Sequence, residues 1–321
     1  MTLTPVSADE YVRTVLPETH PLWGGRRDFA RYAADFRAVA ESAYGKRRPF
    51  TVGLYEDEKL VTSCKLYERE LRWGSKTLRA TGIGAVFTVP AYRGRGYASA
   101  LLGTLLDRER AAGGDLVFLY SDIHPAFYQR LGFVPLPSRR LTFRAATLDD
   151  ARTGAKPLEN RDWPAVQRCF ERLDASRTWR FIRTPVVWKW MRQQWSTEPQ
   201  PFEQRVDLIV RRRRDVVAYV FGLRVPRKDM VFVEEFGFDG GEGRARLSAV
   251  LRAAAGDLAQ VRMWMPPAVA RDALPAGTAR VRKNAIFMVA PISQLARAWW
   301  QGSKDEIVGS RSDPIWVADH V

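Results

Sequence analysis

Cysteine and histidine are scarce in this sequence: 321 residues contain two cysteines, Cys64 and Cys169, and three histidines. The cysteines lie far apart and neither is flanked by a second Cys or by His, so neither a disulfide framework nor a zinc site is expected. Both read as reduced structural thiols, and no metal is called for. Also missing is any run approaching the ~18 consecutive apolar residues of a membrane-spanning helix. Residues 1–6 offer no basic region followed by an apolar stretch, so the sequence predicts a cytoplasmic protein without a membrane partner. Acidic residues are the scarcer sign: 36 Asp and Glu stand against 51 Lys and Arg, a net charge of +15.

That excess attracts polyanions, and a coenzyme with several phosphates is as good a match as nucleic acid. The basic residues are scattered rather than interleaved with aromatics, which predicts a solvated basic surface and argues against a nucleic-acid partner. The densest run, Arg211-Arg212-Arg213-Arg214-Asp215, lies between two strand-like segments and reads as a hairpin turn. The length favours two domains, and 46% apolar with 27% charged residues is globular composition.

Periodicity divides the chain. Tyr11, Val12, Val15 and Leu16, then Phe29, Tyr32, Ala33 and Phe36, recur at helical spacing. Residues 50–55 and 60–67 read as a hairpin, and a second hairpin turns at residues 73–76. The apolar run 83–89 reads as a buried strand, ended by Pro90 and a glycine-rich loop. Leu101, Leu102, Leu105 and Leu106 then mark a helix stopped by Gly113-Gly114. Residues 116–120 read as another buried strand, 126–131 as a short helix, and 133–134 followed by 141–145 as what closes this first sheet. Residues 146–161 are polar and read as a linker. Beyond them, helices are predicted over 162–173, 187–195 and 245–258, and strands over 207–210, 216–223, 230–238 and 261–265. The order of hairpin, strand, glycine loop, helix and strand thus occurs twice. The second copy has Gly240-Gly241-Glu242-Gly243 in place of the loop, and a carboxylate there opposes a bound phosphate. The second site is therefore expected to be degenerate, with domains at 1–145 and 146–321.

The decisive segment runs from Val86-Phe87-Thr88 through Pro90 to Arg93-Gly94-Arg95-Gly96-Tyr97-Ala98-Ser99. A strand enters a helix N-terminus through small residues, so unpaired N–H groups and the positive end of the helix dipole face an anion, and glycines allow pyrophosphate to approach the backbone. Arg93 and Arg95 are placed to add charge-assisted bonds. The preceding strands form hairpins and no ribose-binding acid follows, which separates this loop from a dinucleotide fold.

Arg93, Gly96 and Ala98 fit the R/Q-x-x-G-x-G/A loop of the GNAT acetyltransferases, and Tyr128-Gln129-Arg130-Leu131-Gly132-Phe133 resembles their Y-x-x-x-G-F element. The stretch from about Phe50 to Pro137 is similar to the N-terminal domain of the enhanced-intracellular-survival (Eis) acetyltransferases. The resemblance implies an α+β fold of tandem GNAT-like domains, with mixed, mostly antiparallel sheets flanked by helices and a degenerate second copy. It implies acetyl-CoA as co-substrate and direct transfer of acetyl to a primary amine on a small molecule or peptide. Val86, Phe87 and Thr88 would then hold the pantetheine arm and thioester, Gly94 through Ser99 the pyrophosphate, and Ser121 and Asp122 the end of the next strand. The alternative is an inactive GNAT fold that senses CoA or binds nucleic acid.

Tyr128 is the candidate general acid, since a phenol with pKa near 10 can protonate a departing thiolate. The strand over 83–89 holds no carboxylate, so the base must come from elsewhere. Asp122 and His124 follow the next strand, and resemblance to the Eis enzymes adds the terminal carboxylate of Val321. The apolar Ile315, Trp316 and Val317 would dock that tail, carrying Asp319, His320 and Val321 towards the amine.

Overall fold

The first fifty residues are divided by helix caps. After a short strand β1 (Thr4–Pro5), Ser7 caps α1 (Ala8–Thr14) by accepting from the Glu10 N–H; α2 (Leu16–Trp23) follows, and Asp28 caps α3 (Phe29–Ala40) by accepting from the Arg31 N–H. Helices this short are held by packing rather than by propensity. Here Tyr11, Val15, Leu16, Tyr32 and Phe36 share one buried cluster. The structure, a computed structural model, describes residues 2–149, 154–195, 202–310 and 312–320. Part of the expected linker therefore lies outside the described residues.

Strands β2 (Thr51–Glu56) and β3 (Lys59–Trp73) are joined at Asp57-Glu58, both with positive φ, as a two-residue hairpin turn requires. Gly74, at φ +55°, turns β3 into β4 (Lys76–Thr88). Helix α4 (Tyr97–Ala111) buries Leu101, Leu102, Leu105 and Leu106, and leads to β5 (Leu116–Ser121), α5 (Ala126–Gln129), β6 (Val134–Pro135) and β7 (Arg139–Arg144). The second half comprises β8 (Lys156–Pro157), α6 (Trp163–Asp174), β9 (Trp179–Ile182) and α7 (Pro185–Trp195). There follow β10 (Gln204–Arg212), β11 (Asp215–Val225), β12 (Met230–Phe238), α8 (Gly240–Ala255) and β13 (Gln260–Trp264). Last come α9 (Ala268–Arg271), β14 (Thr278–Val281), β15 (Ile286–Pro291) and α10 (Gln294–Gly309). Among the described residues no helix is long and apolar enough to cross a membrane.

The strands form two sheets, ordered β1-β2-β3-β4-β5-β15-β6 with β9 added beside β3, and β14-β7-β13-β12-β11-β10-β8. Neighbours are antiparallel except β4 with β5 and β12 with β13, so the α+β class with mixed, mostly antiparallel sheets is observed. The same connectivity occurs twice, as β2-β3-β4-α4-β5 and β10-β11-β12-α8-β13.

The sheets exchange their closing strands, which corrects the sequence reading. Residues 141–145 do not close the first sheet. Instead β7 lies antiparallel to β13 in the second sheet, where Leu141 and Phe143 join its core. The place beside β5 is taken by β15, whose unbroken run Ile286-Phe287-Met288-Val289-Ala290 is buried on both faces, as a central strand demands. The first sheet thus takes one strand, β15, from residues beyond 280, with β6 from the first half paired on its outer side. Helix α8 also begins earlier than the predicted residue 245. Gly243 makes this possible, because a Cβ there would meet the Val217 carbonyl oxygen at 2.0 Å.

Candidate active site

The site grows from a defect in β4. Pairing with β3 runs regularly to Lys65↔Gly84, then resumes at Ser63↔Phe87, so β4 carries an extra residue at the bulge and Ala85 is forced to φ +48°. On its other edge β4 pairs with β5 only from Ala80↔Leu116 to Ile83↔Leu119. Past those residues the two strands splay, leaving the β5-facing edge of β4 without a ladder partner. A cavity of about 600 Å³ opens there, lined by Gly84, Ala85 and Val86 on one side and by Tyr120, Asp122 and Tyr128 on the other.

Beside the splay lies the glycine loop. Gly94 and Gly96 adopt φ +76° and +81°, and a Cβ at either would meet nothing within 4 Å. The first intrahelical bond of α4 runs from the Ala100 N–H to the Gly96 carbonyl, so the N–H groups of Tyr97, Ala98 and Ser99 have no intrahelical partner. No side chain caps this end. Arg95 is exposed over the Tyr92 ring; Arg93 is exposed too, lying over Phe87 and donating to the Thr88 carbonyl. Open space, free N–H groups and two cations fit a polyphosphate. The Tyr97 ring, by contrast, joins the core and its hydroxyl donates to Glu56, leaving only its backbone to the loop. The Phe87 ring is likewise buried, and its carbonyl accepts from the Thr62 hydroxyl. Thr88 shares a hydroxyl contact with Thr62 at 3.1 Å.

Tyr128 is almost fully buried, packed edge-on against Phe127 and Phe133 while lining the cavity. Burial, reinforced by Asp122 and Cys64, pushes its pKa up to about 12, so the phenol keeps its proton at neutral pH. Asp122 lines the same cavity and accepts from the Ala285 N–H at 2.9 Å. Ser121 is fully buried and donates to the Ile123 carbonyl. His124 stands apart: it is exposed, and its Nδ1 accepts from the Ala126 N–H outside the cavity wall.

The tail docks, but its acidic residue does not face the cavity. Ile315 and Trp316 are buried. Asp319 accepts from Arg69 Nη2 at 2.6 Å and from Arg183 Nε and Nη2 at 3.1 Å, while Arg183 also donates to Glu235. Although burial opposes the charge, the two guanidiniums hold the Asp319 carboxyl down at about 2. His320 does line the cavity, against Tyr120 at 4.4 Å between ring centroids, and burial lowers its pKa to about 4. Val321 lies outside the described residues.

The second copy repeats the geometry and fills it. β12 pairs with β13 only from Met230↔Gln260 to Val233↔Met263 and carries its own irregularity opposite Phe221 and Gly222. Ile315, Trp316 and Val317 sit in the resulting cleft with Glu235, Phe236 and Met265. At the start of α8, Glu242 pairs with Arg212 and Arg246. The arginine run turns the β10–β11 hairpin as read from sequence, and Arg211 and Arg212 are paired with Asp162 and Glu242.

Sequence reasoning missed the cavity-lining residues Arg27, Arg31, Asp35, Lys65 and Tyr67. None lies in a motif. The available signal was Lys65, a cation between Cys64 and Leu66 in β3.

Comparison with known proteins agrees with the fold. The chain matches, over residues 26–136, the family model described as an acetyltransferase (GNAT) domain. Its whole fold is similar to that of a GCN5-related N-acetyltransferase from Anabaena variabilis, with a TM-score of 0.72 and 14% identity over 92% of this chain and 74% of that one. Eis1 from Mycobacterium abscessus is similar at a TM-score of 0.59, with 12% identity over 91% of this chain and 74% of that one. Saccharomyces cerevisiae N-myristoyltransferase, solved with bound myristoyl-CoA, gives 0.58, with 12% identity over 90% and 78%. No curated protein matches the sequence.

Proposed function

We propose that the protein transfers acetyl from acetyl-CoA to a primary amine by direct attack in a ternary complex. The observation that carries this reading is that β4 parts from β5 beside a cavity walled by Tyr128 and leads along the chain into the uncapped N-terminus of α4. The coenzyme supplies an acyl group activated as a thioester. The backbone of Val86, Phe87 and Thr88 would hold its pantetheine arm, with Ser121 and Asp122 at the end of β5. The loop from Gly94 to Ser99, with Arg93 and Arg95, would hold its pyrophosphate. Fixing both reactants in one cavity converts a bimolecular encounter into a near-unimolecular step.

The amine nitrogen bonds to the carbonyl carbon as the carbon–sulfur bond breaks, so one proton must leave nitrogen and one must reach sulfur. Tyr128 donates the second, its high pKa ensuring that the proton is present. Asp122 is the described carboxylate beside Tyr128 on the cavity wall and would accept the first; the terminal carboxylate of Val321 is the other candidate. His124, exposed and outside the wall, is the weakest of the three. Thiol release from acetyl-CoA across a panel of primary amines tests the proposal: amine-dependent release supports it, and none with any amine rejects it.

A further inference from the structure

The cavity wall made by α3, the turn before it and β3 is charged in one direction. Arg27, Arg31 and Lys65 line it together with a single carboxylate, Asp35. That carboxylate is already shared, accepting from Arg27 Nη1 at 3.2 Å and pairing with Arg31 Nε at 3.0 Å. Among the described residues no carboxylate pairs with Lys65. Its ammonium lies 5.1 Å from the centroid of the Phe36 ring and 5.7 Å from that of Tyr11. Aromatic faces recover only about 0.5–2 kcal/mol of what a cation loses on leaving water, and burial, aided by repulsion from Arg27, lowers the Lys65 pKa to about 8. Lys65 pairs across the strands with Gly84, beside the bulge that opens the cavity. A half-buried cation with no carboxylate partner among the described residues therefore borders the space in which the acceptor must sit.

We propose that the acceptor is an amine that also carries a carboxylate, an amino acid or a small derivative of one, and that Lys65 binds this carboxylate. The inference rests on the transferase reading and names its substrate class. A polycationic acceptor would bring its charges against three cations whose neighbouring carboxylate, Asp35, is engaged. A carboxylate supplies the counter-ion Lys65 lacks and leaves the amine end of the molecule to the wall containing Tyr128 and Asp122. Asp35 acts as a spacer in this arrangement, holding the two arginines and keeping them from competing for the ligand.

The test is calorimetric titration of the CoA-loaded full chain with matched pairs, each amino acid against its carboxamide, and with spermidine and kanamycin as polycations. The same compounds are run in parallel in the thiol-release assay. In the parent protein at least one carboxylate should bind about ten- to a hundredfold tighter than its carboxamide, the range of one charge-assisted hydrogen bond. That ratio should fall towards one in Lys65→Met and largely survive in Lys65→Arg, with CoA affinity measured in each variant as the check on folding. Tighter binding of carboxamides or polycations, binding by no carboxylate, or an unchanged ratio in folded Lys65→Met overturns the inference. Should Lys65→Met fail to fold, the parent and Lys65→Arg ratios decide it. Carboxylate selectivity without acetyl transfer would reject the transferase and keep the subsite; transfer confined to carboxamides or polycations would do the reverse.

Discussion

The two copies of the β-hairpin, bulged strand and glycine-led helix differ mainly in what lies between their splayed strands. In the first, β4 and β5 part at Ile83 and Leu119 into an open cavity; in the second, β12 and β13 part at Val233 and Met263 around Ile315, Trp316 and Val317. The loops diverge in the same sense. Gly94 and Gly96 present open space and free N–H groups, whereas the first turn of α8 carries Glu242 in a cluster with Arg212 and Arg246. The lesson is that the same strand splay can hold a cavity or a segment of the chain itself. The second cleft now anchors the segment that delivers Asp319 to Arg69 and Arg183 and places His320 in the wall of the first.

The comparison sharpens most at Tyr128. Tyr128→Phe keeps the ring packed against Phe127 and Phe133 and should lower turnover by about 10²- to 10⁴-fold, as expected for loss of a general acid, with acetyl-CoA affinity unchanged. Undiminished turnover would leave the tyrosine a packing residue.

The anchored tail is the next place to break the contrast. Asp319→Ala strips the buried Arg69 side chain of its carboxylate partner, and breaking a buried ion pair from one side costs about 3–5 kcal/mol. Urea unfolding should register a loss of that order, and proteolysis should reach the tail. An unchanged midpoint would mean that the second cleft holds the tail without this cluster.

A smaller effect is expected from acid. The His320 pKa is lowered in the folded chain to about 4, so the neutral ring is favoured by folding; the stability this gives is complete above the unfolded pKa of about 6.5 and is lost as pH falls towards 4. Asp319, also depressed, adds its loss only lower, from about 4 down to about 2. His320→Gln should therefore flatten the stability profile between about pH 6.5 and 4 by up to a few kcal/mol and leave the lower limb intact. A profile equally steep in that window would assign the acid sensitivity to another group.

Much of this was legible in the residues. The hairpins announced themselves by alternation and turns, the glycine loop by its junction with a leucine-rich helix, and the repeat by its order of elements. The exchange of β7 and β15 was not, because Leu141 and Phe143 alternating with Thr142 declare that one face is buried without saying in which sheet. The apolar tail residues suggested docking, yet the partners of Asp319 lie 250 and 136 positions away and share no local pattern. Lys65 was hidden for a related reason. A lysine in a strand reads as solvent-facing until α1 and α3 are seen to lay Tyr11 and Phe36 beside it.

The central claim, one live cleft and one retired, is tested most directly by calorimetric titration of acetyl-CoA into the parent chain and into two glutamate variants. Gly96→Glu places a carboxylate at the open end of α4; Gly241→Glu places one in the matching turn of α8, where a Cβ meets nothing within 4 Å. The account predicts one site per chain, weakened at least about a hundredfold by Gly96→Glu and untouched by Gly241→Glu, with both variants melting cooperatively. Two sites per chain, or binding lost through Gly241→Glu and retained in Gly96→Glu, would contradict it.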